Sequence, residues 1–185
     1  MSATWSRHVA LLRGVNNIGM AKRVSMADLR TLFEGLGLRD VRTLLGSGTV
    51  VFSEREGRVP SVRGRIEKAI ASRLEISCGV TLLSAKEVVA MVKQNPLRDL
   101  ADDPSRMLVV VLREVSDRAK LRPLLARRWA PEALATGRRA AYLWCANSVA
   151  ESALWPEVDR ALGRTGTARN LRTMTKLAAL VKEAT

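Results

Sequence analysis

Apolar residues in this chain come in two alternating patterns, short unbroken runs and longer stretches at helical spacing. Val9-Ala10-Leu11-Leu12 is continuous, as in a strand buried on both faces. The run stops at Arg13-Gly14, and a polar loop continues to Lys22-Arg23. Ser25 then caps a predicted helix with Asp28 in its first turn. Met26, Leu29, Leu32, Phe33 and Leu36 follow at 3.6-residue spacing, and Gly37 stands where a C′ glycine belongs. Val41 to Leu45 and Thr49 to Phe52 read as a hairpin turned by Gly46-Ser47-Gly48, and Ser53 to Arg58 as a polar loop. After Pro60, the positions Val62, Ile66, Ala69, Ile70 and Leu74 predict a long helix ending near Cys78-Gly79. Val80 to Leu83 then completes the order βαββαβ. Two helices would cover one face of a four-stranded antiparallel sheet, leaving the other face in need of apolar cover.

The second half repeats this order loosely and is the candidate cover. Ser84 and Glu87 make a capping-box pattern before Val88, Val89, Met91 and Val92, and Asn95-Pro96 ends that helix. Residues 95–105 read as a surface loop. Met107 to Leu112 is a second unbroken strand. Ser116-Asp117 opens a helix through Leu121, Leu124 and Leu125, which Pro123 must kink or restart. Residues 130–139 read as irregular or as a short edge strand, and Ala140 to Cys145 as a strand. Helices follow through Leu154, Val158, Ala161 and Leu162 to Gly163, and from Asn170 to about Lys182. The fold class is therefore α+β with two ferredoxin-like lobes. Residues 1–84 form a βαββαβ sandwich, and residues 85–185, packed on it, form a degenerate copy with an added C-terminal helix.

Composition narrows the function classes. The chain has 185 residues, 47% of them hydrophobic, enough to bury a core without disulfide or metal staples. His8 is the sole histidine, which excludes a multi-histidine metal site. Cys78 and Cys145 stand apart with no CxxC spacing, as free thiols do in a reducing compartment. The first residues lack a signal-peptide core, and no run approaches the roughly 18–20 apolar residues that span a bilayer. A soluble, cytoplasmic protein is expected. Net charge is +13, which invites nucleic acid as a partner. The excess is 24 Arg against 7 Lys, a bias that gene base composition also produces. Residues 1–84 carry 13 basic and 7 acidic groups and the remainder 18 and 11, so neither half is a dedicated basic groove.

Three segments carry candidate chemistry. The loop after Arg13 has Gly14 and Gly19 at P-loop separation, but Met20 and Ala21 stand where Lys and Ser/Thr are required. A triphosphate site of that kind is excluded. Arg13, Asn16, Asn17, Lys22 and Arg23 remain as donors for a phosphate or carboxylate, against a simpler reading as a glycine- and asparagine-shaped turn. The turn Gly46-Ser47-Gly48-Thr49 offers hydroxyls, but Ser47 has no serine-hydrolase motif around it. Thr165 to Asn170 opens the last helix, and Arg169, Arg172 and Lys176 fall close together on its wheel. Six basic residues and no acid lie between Arg160 and Lys182. The carboxylate pairs Asp102-Asp103 and Glu54/Glu56 read as solubilising charge. Trp5, Trp129, Trp144 and Trp155 are scattered, and with 4% aromatics they give a base-stacking platform thin support.

The motifs Leu-Leu-Arg-Gly-Val-Asn at 11–16, Gly-Ser-Gly-Thr-Val-Val-Phe-Ser at 46–53 and Thr-Ala-Arg-Asn-Leu-Arg-Thr-Met-Thr-Lys-Leu at 167–177 come in this order. Together they resemble the bacterial family known as domain of unknown function 1697, over essentially the whole chain. The resemblance implies two ferredoxin-like lobes and no assigned activity, cofactor or partner. Arg13, Gly14, Asn16, Ser47, Gly48, Arg169, Asn170 and Lys176 match the family pattern. Asn17-Ile18 stands in place of Val-Gly, Thr49 in place of Asn, and Leu171 in place of Trp.

The functional expectation is a small anionic or phosphate-bearing ligand held between the lobes. Arg13, Lys22, Arg169 and Lys176 would supply charge; Asn16, Ser47 and Asn170 would supply oriented hydrogen bonds. No metal and no cofactor is expected. Two alternatives stand beside it: a nucleic-acid-binding protein using the basic surface, and a protein-interaction module marked by Trp129 or Trp155 in an exposed patch. An enzyme would need a base, a nucleophile or a metal, and none can be named.

Overall fold

The computed structural model describes residues 4–15, 24–44, 48–100 and 102–182. They divide into two compact units, Met1–Ala85 and Lys86–Thr185. The first contains β1 (Trp5–Arg13), α1 (Met26–Gly35), β2 (Arg39–Leu44), β3 (Thr49–Arg55), α2 (Val59–Leu74) and β4 (Gly79–Ser84). Its antiparallel sheet has the order β2-β3-β1-β4, as a βαββαβ unit requires. Ala10, Leu12, Val50, Phe52 and Val80 face α1 and α2, packing on Leu29, Phe33, Val62, Ile66 and Ile70. Val9, Leu11, Val51 and Leu83, on the other face, are buried too. That explains why β1 reads as an unbroken apolar run.

The ends of α1 follow the sequence signals. The Ser25 hydroxyl accepts from Asp28 N at 3.0 Å, and Gly37 takes φ +79 with its N–H donating to Glu34 O. Two expectations fail in this unit: α2, expected to end near Cys78-Gly79, stops at Leu74, where Glu75 takes φ 55, and the segment after Phe52 is not a loop. Ser53 to Arg58 was expected as a polar loop, but β3 runs on to Arg55 with Ser53 and Glu54 buried. The Glu54 carboxylate is 2.6 Å from Arg65 Nη1 of α2 and accepts from Arg55 N at 2.8 Å. Arg65 also donates to Leu36 O. Glu54 is thus a paired interior charge rather than solubilising surface.

The second unit contains α3 (Ala85–Lys93), β5 (Met107–Val111), a 3₁₀ helix (Val115–Leu121), α4 (Arg122–Leu125), β6 (Ala133–Thr136), β7 (Ala140–Trp144), α5 (Leu154–Ala161), β8 (Thr167–Asn170) and α6 (Leu171–Leu180). Its sheet order is β6-β7-β5-β8, which repeats the order of the first unit. Leu108, Val110, Ala141, Leu143 and Cys145 form one face, covered by Leu121, Leu124, Leu154, Val158 and Leu162. On the other face the buried Tyr142 hydroxyl donates to Met91 O of α3 at 2.9 Å. Removal from water pushes that phenol up to about 12.

Two further expectations change here. The helix expected from Ser116 to Leu125 is a 3₁₀ segment followed by the four-residue α4, with Pro123 in its first turn. Glu114, not Ser116, caps it, in a reciprocal capping box with Asp117. Thr167 to Asn170 was expected to lead into the last helix but pairs as a strand with β5, Arg169 lying opposite Val109.

Candidate functional site

In the first unit, two of the three chemistry-bearing segments meet. Arg13 ends β1 opposite Gly79 and is half-buried. Gly14 takes φ +82, in the left-handed region that glycine reaches without strain. Val15 tucks back and is only 2% exposed. Across from it, Gly48 takes φ +68, and its carbonyl accepts from Leu12 N at 2.7 Å. A Cβ on Gly48 would lie 3.0 Å from Leu12 Cβ and 3.1 Å from Val15 Cβ. The strand exit and the hairpin turn are therefore locked together by backbone proximity that only glycine permits. Asn16, Lys22 and Ser47 lie outside the described residues.

In the second unit, Arg169 sits on β8 and is half-buried. That burial pushes its pKa down to about 10, which leaves it cationic at neutral pH. Its Nη1 donates to Ala168 O at 2.7 Å. Because Arg169 belongs to a strand, it does not share the helical face expected with Arg172 and Lys176; those two project from α6 and are exposed. Asn170 caps α6, its Oδ1 accepting from Thr173 N at 2.9 Å. Asp103, expected as solubilising charge, accepts from the Ser105 hydroxyl at 2.7 Å and lies 3.7 Å from Arg172 Nη2. The Ser105 hydroxyl and amide, with Arg106 and Arg172, hold the Asp103 carboxyl below its ordinary range.

The histidine and the two thiols, the first places to look for a base or a nucleophile, are engaged or raised in pKa. His8 is 7% exposed, hydrogen-bonded with the Ser6 hydroxyl at 2.9 Å and ring-packed on Phe52. Burial, with a smaller contribution from Glu67, pushes the Cys78 thiol up to about 11; burial likewise raises Cys145. Neither thiol is a thiolate at neutral pH. Among the described residues no three metal-ligating side chains cluster. Trp129 and Trp155 pack against the second unit's core, and Trp129 Nε1 donates to Leu124 O at 2.8 Å.

Sequence reading missed a concavity of about 280 Å³ in the second unit. Lys86, Glu87, Met91, Arg139 and Tyr142 line it, and Arg139 Nη1 is 3.1 Å from Glu87 Oε1. The signal available was the sole tyrosine of the chain, placed inside an apolar strand where its hydroxyl must find a partner. The pairing itself joins residues 52 apart and leaves no local trace.

Fold and site together define a two-lobed α+β protein with donor-rich strand ends. The chain belongs to the family described as Protein of unknown function (DUF1697), whose model matches residues 5–142. That stretch includes the segments at 11–16 and 46–53; the segment at 167–177 lies beyond it. No curated protein matches the chain in sequence. Among solved structures, the conserved bacterial protein SP0830 from Streptococcus pneumoniae is similar in fold. It is 21% identical with a TM-score of 0.74, over 96% of this chain and 99% of that one. No helix among the described residues is long and apolar enough to cross a membrane.

Proposed function

We propose that this chain is a binding protein for a small anionic or phosphate-bearing ligand, with the Arg13 end of β1 as the core of its site. The observation that carries this reading is the lock between Leu12 N and Gly48 O, which sets two left-handed glycines beside a half-buried arginine. Consecutive backbone N–H groups at such turns, with a guanidinium alongside, favour an oxyanion. Asn16, Lys22 and Ser47 in the flanking segments complete the proposed donor set. Arg169, Asn170 and Lys176 are the second set to test, and the cationic Arg169 beside the capped start of α6 supports including them. A reducing, cytoplasmic setting belongs to the same reading, supported by two free thiols carried in different units.

Thermal shift with a panel of phosphates, nucleotides and carboxylates tests it. A ligand at 100 times its Kd stabilises by about 2.7 kcal/mol. Arg13→Ala should abolish the shift, and Arg169→Ala reports whether the second set contributes. No shift with any anion, or a full shift retained in Arg13→Ala, contradicts the proposal.

A further inference from the structure

A second surface of the first unit combines exposed cations with an aromatic ring, far along the sheet from Arg13. β1 begins at Trp5, which lies opposite Arg55 of β3. Antiparallel partners share a face, as do residues two apart on one strand. Val9 and Val51 pair on the face turned away from α1 and α2, so Trp5, Arg7 and Arg55 lie on that outer face. From the edge strand β2, Arg39 opposite Ser53 and Arg42 opposite Val51 join them. The register shift between Arg39 and Arg42, with Asp40 at φ 51, sets both arginines on one face.

The guanidinium carbon of Arg39 is 4.3 Å from the Trp5 ring centroid, and that of Arg55 is 5.5 Å away. Arg39, Arg42 and Arg55 are exposed, and among the described residues none of the three forms an ion pair. The nearby Asp40 carboxylate is engaged by the Ser53 hydroxyl at 2.9 Å. Beside Trp5 an open cleft of about 490 Å³ is lined by Thr4, Arg55, Glu56, Gly57 and Arg58. Arginines that form no ion pair among the described residues favour an anionic partner despite Asp40 and Glu56 nearby, and contact with the indole restricts the guanidinium groups of Arg39 and Arg55 before one arrives. A free inorganic anion or an acidic peptide would use the arginines but gain nothing from the ring. A nucleobase stacks on indole or guanidinium planes while its phosphates meet the remaining cations, and only an unpaired strand offers such bases.

We infer that the outer face around Trp5, Arg39, Arg42 and Arg55 binds single-stranded nucleic acid. Base stacking occurs at Trp5 and its guanidinium partners, and the backbone runs across the arginines into the adjacent cleft. This surface is separate from the anion site at Arg13, so each can fail without the other.

The test is fluorescence anisotropy of end-labelled dT12 and U12 with the full chain at 50 and 200 mM salt. Neutralising three phosphates of a single strand gives a log–log salt slope of about −2, or about 15-fold weaker binding at the higher salt. Trp5→Leu, which keeps apolar bulk but removes the ring, should weaken binding about tenfold, and Trp5→Phe should restore most of it. Arg39→Ala with Arg55→Ala should weaken it further than Arg118→Ala with Arg122→Ala, an equal loss of charge at exposed positions of the second unit. A thermal melt of each variant confirms folding. No binding at 50 mM salt overturns the inference, as does equal weakening by the two arginine pairs. Competition by polyglutamate, with Trp5→Leu binding oligonucleotide as well as the parent, overturns it in favour of an acidic protein partner.

Discussion

The two lobes reach the same strand order by different means. In the first, both crossovers are regular helices, α2 alone running 16 residues with Val62, Ile66, Ala69 and Ile70 buried at helical spacing. In the second, the first crossover is a 3₁₀ segment and a four-residue helix, yet its sheet repeats the order edge, third strand, first strand, fourth. The helices are therefore not what fixes the topology. Central strands of uninterrupted apolar residues are the common feature: Val9 to Leu12 in one lobe and Met107 to Leu112 in the other, each at most 5% exposed. The lobes also differ in how they satisfy interior polar groups. The first buries Glu54 against an arginine of α2, whereas the second pairs its buried Asp117 locally, within a capping box and with Lys120, and sets a tyrosine hydroxyl on a backbone carbonyl.

Core truncations probe this comparison most strongly. Phe52, fully buried and edge-on to Phe33 at 5.6 Å, should cost about 3–5 kcal/mol as Phe52→Ala; Leu143→Ala, at the equivalent strand of the second lobe, about 2–5 kcal/mol. Urea unfolding measures both. A cost below about 1 kcal/mol for either would show that its strand is not part of a packed core. Interior charge comes next. Glu54→Ala strands the partner of a buried pair and should cost about 2–3 kcal/mol, reduced because Arg65 is 30% exposed and keeps Leu36 O. Glu87→Ala, whose pair with Arg139 is more open to water, should cost about 1 kcal/mol or less in the same assay.

Backbone requirements separate two glycines. Gly48→Ala combines a left-handed φ with a 3.0 Å approach to Leu12 Cβ and should destabilise by about 2–3 kcal/mol. Gly14→Ala has the same conformational demand but open space around it, and should cost about 1 kcal/mol. Equal costs would mean that the close approach of hairpin and strand exit carries no weight. The smallest effect is acid sensitivity in the second lobe. Burial alone would raise the Asp117 carboxyl, but the Lys120 ammonium at 2.7 Å and the Glu114 amide more than reverse this, lowering it below 3.8. A lowered folded-state value gives stability that is full above the unfolded value and lost as pH falls through the folded one. Asp117→Asn should therefore be less stable at pH 6, converge with the parent in acid, and flatten the low-pH limb of a Tm profile.

Local signals were sufficient wherever an element's reason lies within a few residues. Ser25 with Asp28, the apolar spacing of α1 and α2, and the glycines at 37 and 163 all act within one turn of the chain. β8 was not legible because Thr-Ala-Arg-Asn is a weak strand sequence, and it becomes one only by pairing with β5 some 60 residues earlier. The extension of β3 was hidden for a similar reason. Glu54 looks like a loop residue until Arg65 arrives from α2 to neutralise it. For the candidate site, the left-handed glycines were readable from the motif, whereas the lock between strand exit and turn required the β1–β3 register. The Trp5 cluster was invisible on the same grounds, since Arg39 and Arg55 come to the ring from strands 34 and 50 residues away.

The anion-binding reading is most directly tested by ¹H–¹⁵N correlation spectra of the full chain titrated with inorganic pyrophosphate. The account predicts saturable shifts of the Gly14 and Gly48 amides in the parent, and their loss in Arg13→Ala with the rest of the spectrum preserved. Unmoved Gly14 and Gly48 amides at saturating pyrophosphate, or identical shifts in Arg13→Ala, would contradict it.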